Sequence, residues 1–219
     1  MSIQSAAANH HPSQENSKAV AMLPDLERTS WEQLRAAAEQ KDDQPEASGF
    51  KTMTVATCTS RGADARMVVL RRVDIDHKYV WFYSDARAEK VLQLEAFPQA
   101  SLLFWDSNRH VQLRLTVETR LHTDDYVADD HWEKLGVAGR KAYLSEQKPG
   151  TEQPHPYPGV PDHLVNNLPS IEESEAGRKN FAVIECRVLA MEYLQLSRQG
   201  HTRACFQYEP ESKMSWLAP

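Results

Sequence analysis

Arginine, lysine and serine recur in one short part of this 219-residue chain in an arrangement suited to holding an anion. The run Arg66-Met67-Val68-Val69-Leu70-Arg71-Arg72 has a β-branched and aliphatic strand pattern closed at both ends by arginines, which stay charged because the guanidinium pKa lies above about 12. The next apolar run, Tyr79-Val80-Trp81-Phe82-Tyr83, breaks at Ser84-Asp85-Ala86 into a helix-like segment carrying Arg87 and Lys90 three positions apart, on one helix face. With Ser84 or Asp85 as cap, the helix's unpaired backbone N–H groups point outward, and such a strand-to-helix junction can hold a phosphate. Arg66 and Arg71 should face opposite sides of a regular strand, a difficulty that a bulge or strong twist would remove. The same residues also describe two ordinary strands whose arginines pair with surface acids, and spacing alone leaves both readings open.

The elements that must position these groups follow from periodicity. Residues 1–18 are polar with no period and predict a mobile tail, in which His10-His11 lack the further donors of a tetrahedral metal site. The remainder, 19–219, reads as one domain. Ser30-Trp31-Glu32-Gln33 has the form of a capping box and predicts a helix to about Lys41 with Leu34, Ala37 and Ala38 inward. Alternation predicts strands over Phe50–Thr59 and from Val111 on, the latter turning Gln112 and Arg114 away from the core, and apolar runs predict strands over Ala65–Val73, Lys78–Ser84 and Ser101–Trp105. Glu89–Phe97 predicts a helix with Val91, Leu92 and Leu94 buried, stopped by Pro98. Thr123-Asp124-Asp125 caps a helix to Leu135, with Gly136 as its stop, and Arg140–Glu146 continues helical. Five prolines between Gln147 and His163 exclude regular structure there. A short helix at Ile171–Ala176 and strands at Phe181–Leu196 and Arg203–Tyr208 complete six or seven strands in mostly hairpin order. That pattern points to an antiparallel barrel or sandwich of the α+β kind.

Net charge is −6, which argues against a nucleic-acid surface. Charge is uneven: residues 61–120 are net +2 and 121–180 net −5, so the candidate anion site lies in the basic part. Cys58, Cys186 and Cys205 are odd in number and far apart, which predicts reduced thiols and a cytoplasmic location. No apolar run approaches a membrane span, the N-terminus lacks the order of a signal peptide, and no GxGxxG or GxxxxGK[ST] occurs.

Taken in order, Arg66-Met67-Val68-Val69-Leu70-Arg71, Tyr83-Ser84, Lys90 ahead of a helix, Gln112 in a later strand and the closing Trp216-Leu217-Ala218-Pro219 resemble the pyridoxamine 5'-phosphate oxidase family. The resemblance runs over roughly residues 50–219 and is closer to the divergent, oxidase-related group. It implies an α+β, mainly β fold: an FMN-binding split β-barrel with peripheral helices, forming a homodimer with flavin mononucleotide in clefts between subunits. It further implies that Arg66, Ser84 and Lys90 hold the phosphate, with Arg87 as a further ligand. Tyr83 would lie by the ribityl chain, the backbone of Met67, Val68, Val69 and Leu70 along the ring, and Arg71 near it. Gln112 would bond the ring's pyrimidine edge, although an exposed sheet residue is the plain alternative. Ser145, the proline-rich loop and Leu194 to Arg203 would come from the partner subunit, with His201 and Arg203 on substrate.

Departures from the family concern substrate more than flavin. Arg71 stands in place of a lysine, Glu89 of a phosphate-binding arginine, Leu194 of a tryptophan and Cys205 of a flavin-contacting arginine. His201 and Arg203 reverse an arginine and a histidine, and the substrate-phosphate residues expected after 123 are not recognisable. The implied function is an FMN-dependent oxidoreductase of a small organic substrate, with no catalytic residue singled out. The alternatives are a flavin carrier or sensor without turnover, or a cleft for another cofactor such as a deazaflavin or haem.

Overall fold

Alternating side chains build the sheet that dominates the fold of this computed structural model, which describes residues 13–40 and 49–219, with side chains from 22. Strand β1 (Thr52–Thr59) turns Met53, Val55 and Thr57 inward. A tight turn with Gly62 at φ 125°, a conformation that favours glycine, reverses it into β2 (Gly62–Val69). Then come β3 (Arg72–Asp74), β4 (Tyr79–Asp85), helix α2 (Glu89–Ala96), β5 (Gln99–Asp106) and β6 (Val111–His122). Helices α3 (Tyr126–Lys134), α4 (Val137–Arg140) and α5 (Ile171–Ser174) precede β7 (Phe181–Gln195), β8 (Thr202–Gln207) and β9 (Lys213–Leu217). A first helix, α1 (Ser13–Glu39), leads the chain.

All neighbours are antiparallel, in the order β2-β1-β5-β6-β7-β4-β3, with β8 joining β7 to β9. The two ends of that path, β2 and β3, are separated in sequence only by Leu70 and Arg71. Leu70 N–H donates to the Lys51 carbonyl at 2.9 Å and Arg71 N–H to the Trp81 carbonyl at 2.9 Å. One corner of backbone therefore closes the sheet into a barrel. The predicted single strand Ala65–Val73 is thus two strands, and the corner between them, rather than a bulge, separates Arg66 from Arg71.

The second bend lies in β7. Its first half pairs with β4 and its second half with β8, and the register with β6 slips so that Leu189 is the extra residue. The Leu189 carbonyl instead accepts from Tyr208 N–H at 2.9 Å. A residue inserted in this way bends a strand, and here it splits the barrel wall in two. The outer face of the β4 half is covered by α3 and the 3-10 turn Lys141–Tyr143 through a cluster of Trp81, Trp132, Tyr143, Phe181 and Val183.

Helix α1 packs against the barrel with Leu23, Trp31, Leu34 and Ala37 buried. Trp31 Nε1 donates to Tyr208 Oη at 2.8 Å, Tyr208 Oη donates to Glu27 at 3.0 Å, and Lys78 Nζ reaches the same carboxylate at 2.8 Å. The helix does not start at Ser30. It runs through from Ser13 because the buried stripe continues across Ser30, whose hydroxyl donates back to the Leu26 carbonyl at 2.8 Å instead of capping. The predicted tail is accordingly helical from residue 13, and His10-His11 lie outside the described residues.

Further differences are local. Asp125 caps α3 as expected, accepting from Ala128 N–H at 3.0 Å, but Gly136 at φ −64° opens α4 rather than ending α3 in a left-handed turn. The helical stretch expected over Arg140–Glu146 comes earlier, as α4 and a 3-10 turn at Lys141–Tyr143. In α2, Val91 and Leu94 are buried as expected, but Gln93 is buried in place of Leu92, which is 50% exposed. Among the described residues the sheet has nine strands rather than six or seven, because β3 is separate and β9 carries a C-terminal pairing that the alternation did not reveal. Among the described residues no helix is long and apolar enough to cross a membrane.

Leu70 is fully buried at the corner that closes the barrel. Leu70→Ala should therefore cost about 2–5 kcal/mol, read from the denaturant midpoint at unchanged slope. A loss below about 1 kcal/mol, within the range of a surface change, would mean the corner does not hold the sheet closed.

Candidate functional site

Four elements bring side chains together next to this corner. Arg66 pairs across β2 and β1 with fully buried Val55, so it points to the inner face of the sheet. Its guanidinium donates to Thr57 Oγ1 at 2.6 Å, to Gln93 Oε1 at 2.9 Å and to the Asp64 carboxylate. Gln93, inward from α2, also donates through Nε2 to Asp64 at 3.1 Å. The Gln93 amide first, and the Arg66 charge after it, hold the Asp64 carboxyl below the usual carboxylate range. Gln93 is buried, against the expected face of α2, because its amide fills this polar network.

Lys90 lies one turn before Gln93 on the same face of α2. Its Nζ donates to the buried Ser84 hydroxyl at 3.1 Å, and Ser84 shares the interior of β4 with Val80 and Phe82. Burial, and then the nearby Arg66 charge, push the Lys90 pKa below 10.5, while Asp85 and Asp64 pull it the other way. Among the described residues no carboxylate lies within ion-pair reach of Lys90. The N-cap of α2 is Ala88, with no side-chain cap, in place of the expected Ser84 or Asp85. Strand β4 runs on through Asp85, and Ala86 N–H still bonds the Asn180 carbonyl at 2.8 Å, which moves the turn along the chain. The helix start is left open beside two cations and a hydroxyl.

Arg87 has a different place. It grips Asp85 through two bonds of 3.0 and 2.7 Å and donates to the Ser145 carbonyl at 2.9 Å and the Glu146 carbonyl at 3.3 Å. Its charge is met by Asp85, and it ties the start of the proline-rich loop to the strand-to-helix junction of its own chain. Ser145 Oγ donates to the Gln147 carbonyl at 2.9 Å.

Tyr83 lies on the other face of β4. Its hydroxyl donates to His131 Nδ1 at 2.9 Å in the tautomer that leaves this nitrogen unprotonated, Phe181 meets its ring edge at 4.9 Å, and the Arg71 guanidinium lies 5.7 Å from its centre. Burial, then the Arg72 charge, lower the His131 pKa, so the imidazole is neutral near pH 7. Met67 is 61% exposed on the outer face, Val68 packs on the core, Val69 is half-buried and Leu70 is buried, so this run straddles the closing corner.

Gln112, Leu194 and Arg203 lie elsewhere. They form one cross-strand row with Trp105 and Leu217 on the outer face. Strands β5 and β1 separate β6 from β2, placing Gln112 roughly 14 Å from β2 at ordinary strand spacing and on the face opposite Arg66. Arg203 donates to Glu192 at 2.9 and 3.2 Å, and the same carboxylate takes Arg114 at 2.7 Å. His201 Nδ1, in the turn between β7 and β8, accepts from Ser197 N–H at 3.2 Å. Within one chain the predicted residues thus fall into a corner group and an outer-face row.

Thr57, Asp64, Gln93 and His131 were not anticipated. Alternation in β1 does place Thr57 inward with Val55, and a glutamine three residues after Lys90 was a readable signal. Nothing in sequence ties His131 to Tyr83, because that contact spans 48 positions. A dianionic phosphate suits the corner group: two cations, a hydroxyl and an uncapped helix start converge, and no carboxylate is paired with Lys90.

Comparison with known proteins places the fold and the sequence together. The chain is 38% identical over 102 residues to pyridoxine/pyridoxamine 5'-phosphate oxidase of Caulobacter vibrioides, a match that takes in 44% of this chain and 43% of that protein. The chain thus aligns with less than half the length of these relatives. Among solved structures, a pyridoxamine 5'-phosphate oxidase-related, FMN binding protein of Nostoc punctiforme superposes with a TM-score of 0.60 at 19% identity, covering 97% of this chain and 100% of that one. PhzG of Burkholderia lata, in complex with tetrahydrophenazine-1-carboxylic acid, gives 0.63 at 17% identity, covering 90% and 92%. These structures share the fold and bear out the mainly β split barrel with peripheral helices. The sequence model of pyridoxamine 5'-phosphate oxidase matches residues 28–155, more than half of the chain and all of the corner group, and the chain therefore belongs to the pyridoxamine 5'-phosphate oxidase family.

Proposed function

We propose that this chain is an FMN-dependent oxidoreductase that holds flavin mononucleotide at the barrel corner and acts on a small organic substrate. The observation that carries the reading is Lys90: a half-buried ammonium, bonded to the Ser84 hydroxyl, beside Arg66 and at an uncapped helix start. A phosphate monoester supplies the counter-charge that this arrangement lacks. Ser84, Lys90 and the first N–H groups of α2 hold that phosphate, and Arg66 turns to it from Asp64. Tyr83, fixed by His131, flanks the ribityl side, and the backbone from Met67 to Leu70 offers an edge for the ring. Arg71, above Tyr83, adds positive charge where a reduced flavin would be anionic. Bound flavin would supply the hydride acceptor or donor that no side chain here can.

The outer-face row is best used in a homodimer. Gln112 cannot share a cleft with Arg66 of its own chain, so a second copy would bring Gln112, Leu194 and the His201–Arg203 turn over the ring. Met67, Leu103 and Trp105, 61%, 37% and 43% exposed on the outer face, are apolar surface for such a contact. The substrate is then read at His201 and Arg203, where this chain departs from the family pattern. The cysteines are free, in keeping with a cytoplasmic location. A second reading, a flavin carrier or sensor without turnover, draws on Arg203, whose charge is already taken by Glu192. Steady-state assays with pyridoxamine phosphate, nicotinamide donors or quinones on flavin-loaded protein separate the two.

Lys90→Ala and Arg66→Ala should each weaken binding of flavin mononucleotide by about 1.5–3 kcal/mol, measured by quenching of flavin fluorescence. Arg61→Ala, in the exposed turn before β2, should change little. Equal losses at all three positions would mean general surface charge and no cradle.

Flavin retention should also depend on protein concentration, because half of the proposed cleft comes from the second copy. An obligate interface of about 2,000 Å² or more is expected, with flavin lost on dilution in step with dissociation. A monomer at micromolar concentration that keeps one flavin per chain would overturn the shared cleft.

A further inference from the structure

Asp64 is the one acid of the corner group that binds its arginine directly. It lies two residues before Arg66 on the same inner face of β2, and both its partners, Arg66 and Gln93, are themselves members of the cradle. Arg66 is only 20% exposed in its side chain, whereas Asp64 is 46% exposed, so the carboxylate covers the guanidinium from the solvent side. Lys90 feels Asp64 as well, though without contact.

We infer that Asp64 is a built-in counter-ion of the cradle: it occupies Arg66 while no phosphate is bound and competes with phosphate for the same guanidinium. This rests on the phosphate-binding reading of Arg66, Ser84 and Lys90. The role follows from charge and geometry together. With Asp64 present the two cations of the cradle carry one net positive charge, and a phosphate dianion overcompensates them. With a neutral side chain in its place the dianion meets two cations and is balanced. Thr57 and Gln93 hold Arg66 aimed into the cradle through bonds of 2.6 and 2.9 Å that do not need the carboxylate. Asp64 thus sets affinity, and Arg66 keeps its place without it. A counter-ion of this kind also keeps a basic pocket from filling with whichever anion is abundant.

The test compares native protein with Asp64→Asn and Asp64→Ser, in the full-length apoprotein, for inorganic phosphate, flavin mononucleotide and riboflavin by calorimetry and flavin fluorescence. Both variants should bind inorganic phosphate and flavin mononucleotide about tenfold more tightly, the size of one charge-assisted contact, with the gain shrinking in high salt. Riboflavin, which lacks the phosphate, should be unaffected. Unchanged or weaker phosphate binding in both variants would overturn the inference, the second result making Asp64 a support for Arg66. Native protein that ignores flavin mononucleotide while inorganic phosphate binds and tightens in the variants would sink the flavin reading and keep the counter-ion. If neither phosphate ligand binds native protein or variants, both readings fall.

Discussion

An antiparallel sheet of this size must deal with its two edges, and here a single pair of residues does so. Leu70 and Arg71 carry the chain from β2, hydrogen-bonded to β1, directly into β3, hydrogen-bonded to β4, so the first and last strands of the path meet end to end at the corner. Buried Leu70 and the two backbone bonds at 2.9 Å fix that corner. Everything in the cradle takes its position from it. Arg66 enters from the strand before the corner, Ser84 from the strand that receives it, and α2 is laid against β1 and β6 with Lys90 and Gln93 turned in. Arg71, just past the corner, emerges beside Tyr83 on the other wall.

The bend in β7 has the complementary effect. One half of the barrel's outer wall is sealed by the aromatic residues of α3 and the 3-10 turn Lys141–Tyr143, with Arg140 of α4 buried beside Trp132 and donating to its carbonyl at 2.9 Å. The other half, past Leu189, carries the row of Trp105, Gln112, Leu194 and Arg203 with no helix of the described residues over it. A wall that is apolar in part and polar in register is what a second copy of the same chain would cover, and the proposed cleft follows from that division. The Arg87 bonds to the Ser145 and Glu146 carbonyls tie the proline-rich segment to the same corner, so cradle and loop are not independent.

Much of this was legible in sequence because the period-two alternation of β1 and β6 is regular, because Ser101–Trp105 is a compact apolar run, and because the residue order at 66–71, 83–84 and 90 is distinctive. What was not legible depends on closure. Nothing local distinguishes a nine-residue strand from two shorter ones meeting at Leu70, since both are apolar runs; the difference lies in which distant strand accepts each N–H. The same holds for Gln93. A helix of two turns offers more than one plausible buried face, and the choice went to the face that gives Arg66 and Asp64 an amide, at the cost of exposing Leu92. Ser30 looked like a helix start because its neighbours fit a capping box, yet a buried stripe from Leu23 to Ala37 outweighed one cap.

Lys90 shows how the cradle's charge is arranged. Its folded pKa is depressed, first by burial and then by Arg66, so the charged form is disfavoured in the folded chain relative to the unfolded one. Below that folded value Lys90 is protonated in both states and the fold carries the full penalty; as pH rises through it toward 10.5, the penalty fades. At neutral pH the empty site is therefore held under mild electrostatic strain. Arg66 has relieved its share by pairing with Asp64, and Lys90 has only the Ser84 hydroxyl among the described residues. An anion bound at Lys90 as proposed would offset that penalty, so ligand binding and fold stability would draw on the same interaction. Alkaline pH, by discharging Lys90, would weaken the hold on the proposed phosphate even as it relaxes the empty protein.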